Sequence, residues 1–413
     1  MDLKKKKKGF KLILLSLLFT PGVQVLFIVG CNSSYLIRFP FLIVLGVLLV
    51  LLYGQFLYGI KIFYENKKAS KRKLKKWIKV VFTIFMVLYI GGCTALMLLM
   101  YGPSDKFKNL YVTTAMKTMH HQYLARIFYT DKTIQKIQDS NYFIAIQDDT
   151  NTDDINIDEP KVEEYLNEYE KELLTKDEGN DLYKVLNLKI GGSNAYLVAI
   201  YDPTKVRLIR TKAFNIGTTG ERILTMCPRY GGVVCINAGG FEDNGWGSDR
   251  PTGYVIEDSK VIWPSDGNGS SFRTNIIGLT KDGKLKLMSN TTADEAIQSG
   301  VVEGLNFDPF LIVNGKSLEM VGDPWGKAPR VAIAQRKDGV MMFLVIDGEN
   351  YINGASLKEM VETLERYGAY NAANLDGGQS SSLVINGQLY NTPPPAAKAQ
   401  GGRYVVTGFG LIP

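Results

Sequence analysis

The residues Asn374-Leu375-Asp376-Gly377-Gly378-Gln379-Ser380-Ser381-Ser382 place a carboxylate at the end of an apolar run and follow it with two glycines and three hydroxyls. That order suits a strand ending in an acid, then a loop whose backbone amides and hydroxyls can approach an anionic ligand. A plain Asp-Gly hairpin turn is the simpler reading, but such a turn seldom needs a second glycine and a serine run.

Three further clusters carry compatible groups. Ile236-Asn237-Ala238-Gly239-Gly240-Phe241 reads as a strand followed by an amide-bearing turn. Arg330 opens an apolar run, and Val345-Ile346-Asp347-Gly348 closes one on a carboxylate. Each could equally be a tight turn or a surface ion pair. Glu242, Asp243 and Asp249 are weaker candidates, and Trp246 could stack on a sugar ring or simply pack.

The histidine count excludes much. His120 and His121 are the only two and precede the glycine-rich region. A Ser-His-Asp hydrolase, a Cys-His protease and a His-ligated zinc site are therefore excluded there. No Gly-x-x-x-x-Gly-Lys phosphate loop occurs. What remains is carboxylates, Arg, Asn, Ser, Tyr and amides, a set suited to chemistry at an anomeric carbon and to phosphate binding. No cofactor is required, and no ligand-spaced cluster demands a divalent cation, although carboxylates would accept one.

These groups need elements to hold them. From Tyr183 onward, short β-rich runs alternate with Gly, Asn and Asp turns. They predict strands over 185–190, 196–201, 206–209, 233–236, 253–256, 276–279, 310–313, 330–334, 341–346, 383–385 and 404–409. Lys281-Asp-Gly-Lys284, Asn314-Gly315, Lys337-Asp-Gly339 and Asn386-Gly387 mark hairpins. One clear helix is expected from the N-cap Ser356, with Glu359 three residues on, to Tyr367 before Gly368. A strand, this helix and a strand ending at Asp376 make a β-α-β unit. If its strands are neighbours, Asp347 and Asp376 open on one sheet edge. The fold class is thus α+β, a β-rich mixed-sheet domain with few helices, over residues 182–413.

The net charge of +7 averages two unlike halves. Up to Lys79 there are 16 basic residues against Asp2 and Glu65, whereas 32 basic and 39 acidic residues follow. The large domain is mildly acidic, which disfavours nucleic acid as a partner. Apolar runs at about 10–30, 36–60 and 77–101 predict three transmembrane helices within a 1–101 anchor. Their flanking lysines place the N-terminus in the cytoplasm and the C-terminal domain outside a multi-pass cell membrane, with the lipid bilayer as a partner. Residues 102–181 read as a helical and acidic stalk. Cys227 and Cys235 could pair across a short loop or remain buried thiols.

In this order the clusters resemble the phosphodiester glycosidase domain family. The matching pieces are Asn237 to Phe241, Pro251-Thr-Gly253, Pro329-Arg330, Asp338-Gly339, Asp347-Gly348, Gly354 to Leu357, Asn374 to Ser381, and Arg403. Ala238 and Gln379 depart from the family's usual small residues. The resemblance implies hydrolysis of a glycosyl-1-phosphodiester, giving free sugar and a phosphomonoester. It assigns catalysis to Asp376, Asp347 and Asn237. Substrate and phosphate contacts fall to Arg330, Asn374, Gly377, Gly378, Gln379, Ser380, Ser381, Gly239 and Gly240. An external location would make cell-envelope glycans or phosphorylated exopolysaccharide the substrate. A non-catalytic phosphoglycan-binding module and a transglycosylase are the alternatives.

Overall fold

The computed structural model of the protein describes residues 3–32, parts of 44–62, 92, 99–101, 105–117, 122–157, 165–243, 247–264, 272–348 and 353–413. They form two compact units, Met1–Asn141 and Tyr142–Pro413.

The described residues of the first unit are mostly helical. α1 (Leu3–Asn32) covers the first apolar run. α2 (Asp105–Lys117), α3 (Gln122–Phe128) and α4 (Asp131–Asp139) pack around Val112, Ala125, Ile134 and Ile137. The expected transmembrane helices are overturned: among the described residues, no helix is long and apolar enough to cross a membrane. In α1 the apolar run begins on Lys4 to Lys8 and is interrupted by Lys11, Ser16, Thr20 and Gln24. Polar and charged residues of this kind oppose burial in hydrocarbon. Most of the other two runs, 36–60 and 77–101, lies outside the described residues, as do His120 and His121. The multi-pass membrane location, the extracytoplasmic orientation and the bilayer partner rested on those spans and fall with them.

The second unit is built on a seven-stranded sheet. Its order is β12 (Lys316–Ser317), β11 (Phe310–Val313), β16 (Ala369–Leu375), β14 (Arg330–Arg336), β15 (Met341–Ile346), β3 (Ser193–Ile200) and β2 (Tyr183–Ile190). A five-stranded sheet runs β18 (Gln388–Leu389), β17 (Leu383–Ile385), β5 (Val234–Asn237), β19 (Thr407–Leu411) and β4 (Val206–Arg210). Another runs β7 (Lys260–Trp263), β6 (Val255–Glu257), β10 (Val301–Leu305), β8 (Thr274–Thr280) and β9 (Leu285–Thr291). β1 (Tyr142–Ile144) pairs with β13 (Glu319–Val321). All strand pairs among the described residues are antiparallel, which corrects the expected mixed sheet.

Alternation along β14 and β15 explains the layering. Val331, Ile333, Phe343 and Val345 point into a core shared with Ile236, Leu305 and Phe409 of the two five-stranded sheets. Ala332, Ala334, Leu344 and Ile346 face the opposite way, against Leu357, Met360 and Leu364. Those last residues belong to α8 (Leu357–Arg366), which starts at Ser356 with a reciprocal capping box to Glu359. Because both faces are covered, every residue of β14 and β15 is buried, and continuous apolar runs replace a period of two.

Residues 142–157 and 165–181 belong to this unit as well. Leu173 of α5 (Glu168–Leu174) is fully buried, and Glu170 pairs with Arg336 at 2.5 Å. Cys227 of α6 (Ile223–Arg229) is disulfide-bonded to Cys235 of β5, which fastens that helix to the strand leading to Asn237. Asn314 (φ 51°) and Gly315 (φ 77°), like Asn386 (φ 49°) and Gly387 (φ 74°), make the tight turns their sequences announce.

The β-α-β expectation needs one correction. β15 and β16 are not neighbours, because β14 lies between them and is antiparallel to both. The two therefore run parallel, and their carboxyl ends reach the same edge. Arg330 faces Ile346 in register at that edge, and Val331 faces Leu375.

Candidate active site

At Asp376 the chain leaves one sheet for another. The Asp376 N–H donates to the Ala238 carbonyl at 2.8 Å, beyond the end of β5, and the chain then rejoins that sheet as β17. Asn237 holds both ends of the crossing loop. Its Nδ2 donates to the Asp376 carbonyl at 2.6 Å, and its Oδ1 accepts from the Ser382 N–H at 2.9 Å. This fully buried amide thus shapes the loop, and both of its side-chain partners are backbone groups.

Within the loop, Gly377 sits where a Cβ would come within 2.5 Å of the Pro329 carbonyl oxygen, and Gly378 has φ +60°. Glycine at these positions meets a steric need. The Gly378 N–H donates to Pro329 O at 2.9 Å, and the Gly377 N–H turns toward the Asp376 carboxylate. These amides shape the loop. Ser380 Oγ and Ser381 Oγ are buried and close no hydrogen bond of ordinary geometry, although the Ser380 hydroxyl reaches toward the Asp376 carboxylate. Buried hydroxyls without a full partner are costly in isolation and become useful when a polar ligand arrives. Gln379 lies half-buried between Gly378 and Ser380.

Burial pushes the Asp376 carboxyl up to about 6. The nearby Ser380 hydroxyl, which closes no bond of ordinary geometry, pulls the other way, as does Arg403, while Asp243 adds to the rise. Arg403 Nη2 lies 2.5 Å from Asp243 Oδ2, and its guanidinium stacks 5.2 Å from the centre of the Phe241 ring. Asp243 follows the turn Asn237 to Phe241. Arg403 follows α9 (Pro395–Lys398), a short helix packed on the Gly378–Ser380 turn. A carboxyl, an arginine paired with a second acid, and the Ser380 hydroxyl thus converge.

Other expected site residues lie elsewhere. Arg330 shares the edge with Asp376, and its Cα is 3.5 Å from where a Gly377 Cβ would stand. Its side chain, however, alternates onto the α8 face. There Nε donates to Ala355 O at 3.1 Å, and Nη2 donates to Trp325 O at 3.2 Å and Gly326 O at 2.9 Å. Burial pushes its guanidinium down to about 10, against the pull of Asp323. Asn374 is pinned through Nδ2 to Asp308 O, with Oδ1 unpaired. Gly239 donates its N–H to Thr407 Oγ1, and a Cβ at Gly240 would meet Thr252 Oγ1 at 2.7 Å. Both glycines serve close packing.

Asp347 is fully buried. Its Oδ1 accepts from Asn391 Nδ2 at 3.1 Å and Thr392 N at 2.9 Å, and its Oδ2 accepts from the Tyr196 hydroxyl at 3.2 Å. Asp249 Oδ2 likewise caps a loop, accepting from the N–H groups of Ile216 and Thr218. Trp246 lies outside the described residues.

The arginine whose charge acts on the Asp376 carboxyl is Arg403, while Arg330 is held on the α8 face. Arg403 entered only through the family resemblance, and Asp243 only as a weak candidate. The signal available was Gly401-Gly402 ahead of a lone arginine, glycines with φ +74° and +103°. Among the described residues, no group of three or more His, Cys, Asp or Glu could hold a metal ion.

Residues 230–412 match the Phosphodiester glycosidase family model. Over 183 residues the chain is 31% identical to the SPbeta prophage-derived uncharacterized protein YomE of Bacillus subtilis (strain 168), covering 42% of this chain and 28% of that protein. It is 26% identical over 169 residues to the Bos taurus N-acetylglucosamine-1-phosphodiester alpha-N-acetylglucosaminidase, covering 40% and 28%. The chain thus spans well under a third of the length of either relative. The zebrafish N-acetylglucosamine-1-phosphodiester alpha-N-acetylglucosaminidase catalytic domain aligns over 57% of this chain and 85% of that one, with a TM-score of 0.46 and 18% identity. The loop motifs from Asn237 to Arg403 all fall within the stretch that matches the phosphodiester glycosidase family model.

Proposed function

We propose that the chain hydrolyses glycosyl-1-phosphodiesters at the bond between the anomeric carbon and the phosphate oxygen. The observation that carries this reading is the Asp376 carboxyl, held up at about 6 beside the Arg403–Asp243 pair. Above that pH, Asp376 is ionised and takes a proton from water as the water oxygen bonds to the anomeric carbon. The carbon–oxygen bond to phosphate breaks, and its electron pair leaves with the phosphate. Arg403 and the Ser380 and Ser381 hydroxyls meet the growing negative charge, so the leaving group needs little protonation. The products are a free sugar and a phosphomonoester.

The family match and the absence of histidine from the second unit's sequence support this chemistry over a histidine-based hydrolase. Cell-envelope glycans and phosphorylated exopolysaccharide were favoured by an external location that no longer stands. They remain substrates to try.

The test incubates the full chain with a panel of sugar-1-phosphodiesters in water enriched in oxygen-18. The reading requires free sugar carrying the label and an unlabelled phosphomonoester. Label in the phosphate, a new glycoside, or binding without products would each overturn it, the last two pointing to a transglycosylase or a binding module.

A further inference from the structure

We propose that Asp347 is a positioning residue, whose buried carboxylate sets the two segments that carry the Ser380–Ser381 turn and Arg403 beside Asp376. The inference rests on the hydrolase reading and deepens it by reducing two candidate acids to one.

Asp347 stands at the end of β15, on the same edge as Asp376, yet it has no solvent-facing surface. Its oxygens are committed to at least three donors on two other segments, namely Tyr196 of β3, and Asn391 and Thr392 just after β18. A general base must reach a water or the reacting atoms, and a carboxylate enclosed by hydroxyl and amide donors does not.

The partners of Asn391 show what the carboxylate controls. While Nδ2 donates to Asp347, it also donates to the Ser381 carbonyl at 3.2 Å, and Oδ1 accepts from the Leu383 N–H at 2.8 Å. Asn391 therefore staples the serine loop where it enters β17, and Asp347 orients Asn391. The second arm runs through Thr392. Its N–H is fixed by Asp347, the buried Pro393 and Pro394 follow, and α9 then seats on the Gly378–Ser380 turn before Arg403 turns back to Asp243. A single carboxylate thus ties both the hydroxyl loop and the arginine strap to the rigid seven-stranded sheet. Displacement of a catalytic group by about 1 Å can cost about a hundredfold in rate.

Charge is not needed for this role, but acceptor geometry is. Asn at 347 keeps Oδ1 for Asn391 and Thr392, and its Nδ2 can donate to the Tyr196 oxygen. Ala removes every one of these acceptors.

The experiment compares the full-length wild type with Asp347→Asn, Asp347→Ala and Asn391→Ala, reading kcat, KM, the pH profile and amide hydrogen exchange. The expected result for Asp347→Asn is a kcat within about threefold of wild type, an unchanged pH profile and unchanged protection of the Leu383 and Thr392 amides. Asp347→Ala and Asn391→Ala should speed exchange at the Leu383 amide and lower kcat by about tenfold to a hundredfold. Loss of kcat by several orders of magnitude in Asp347→Asn, with protection intact, would make Asp347 catalytic and overturn the proposal. If the wild type hydrolyses nothing, the hydrolase reading fails and exchange alone decides. Faster exchange in Asn391→Ala then supports the positioning role, and unchanged exchange overturns it.

Discussion

Arg403 and Asp243 meet at 2.5 Å although 159 positions separate them in the chain, and their charges act on the carboxyl of Asp376 in opposite senses. The pair gives the site an arginine whose position is fixed by an acid before any ligand binds. A held guanidinium loses less conformational freedom when it meets phosphate than a free one would.

Removing that guanidinium should cost catalysis far more than stability. Arg403→Ala is expected to lower kcat/KM by about 10^2 to 10^3, the range seen when one charge-stabilising donor is deleted. Arg403→Lys should recover only part of it, because an ammonium lacks the planar fork. Steady-state kinetics on a sugar-1-phosphodiester checks both, and equal rates for Arg403→Ala and wild type would remove Arg403 from the mechanism.

The pH dependence follows from Asp376. A carboxyl raised to about 6 is protonated below that pH and cannot take a proton from water. The rate should therefore fall about tenfold per unit as pH drops below about 6 and level off above it. A pH–rate profile of kcat/KM reads this directly. A limb centred near the ordinary carboxylate value would assign it to another group.

The same shift has a stability consequence. Its folded-state pKa lies above the unfolded value of 3.8, so ionisation favours the unfolded chain and the penalty grows as pH rises through about 6. Asp376→Asn abolishes the penalty. Its Tm should exceed that of wild type by a few degrees at pH 8, about 2–4 °C for each kcal/mol relieved, and the gain should vanish near pH 3.5. Calorimetry at the two pH values checks the sign.

Asn237 and Arg330 should behave as structural residues. Asn237→Ala leaves the Ser382 N–H and the Asp376 carbonyl without their partner, at a cost of about 1–3 kcal/mol for each group left buried and unpaired. Arg330→Met empties the positions of three hydrogen bonds to backbone carbonyls and should lower the denaturation midpoint. In protein that remains folded, KM should be unchanged for Arg330→Met. A large rise in KM without loss of stability would return the phosphate to Arg330.

Much of the fold could be read from the chain, and the reasons are local. Asn314-Gly315 and Asn386-Gly387 demand positive φ, and Ser356 with Glu359 marks a helix start, so those elements follow from nearby residues alone. β7, β9 and β10 and the helices α6 and α7 (Ala293–Gln298) escaped. β10 carries Glu303, a buried acid pushed up to about 7 by desolvation, and α6 contains Pro228, so local composition argues against both elements. The site was legible where chemistry sits in one run, as in Asp376 to Ser382. It was not legible where alternation decides direction. Arg330 and Asp376 lie on one edge, yet one side chain turns to α8 and the other residue starts the crossing between sheets. No spacing rule reports which arginine a strap after α9 will return to that crossing.

The most direct test is the turnover of Asp376→Asn on a glycosyl-1-phosphodiester that the wild type hydrolyses, measured above pH 7 where the wild-type carboxyl is ionised. The account predicts a fall in kcat of about 10^3 to 10^4 with a folded protein and retained substrate binding. A rate near that of wild type would contradict it.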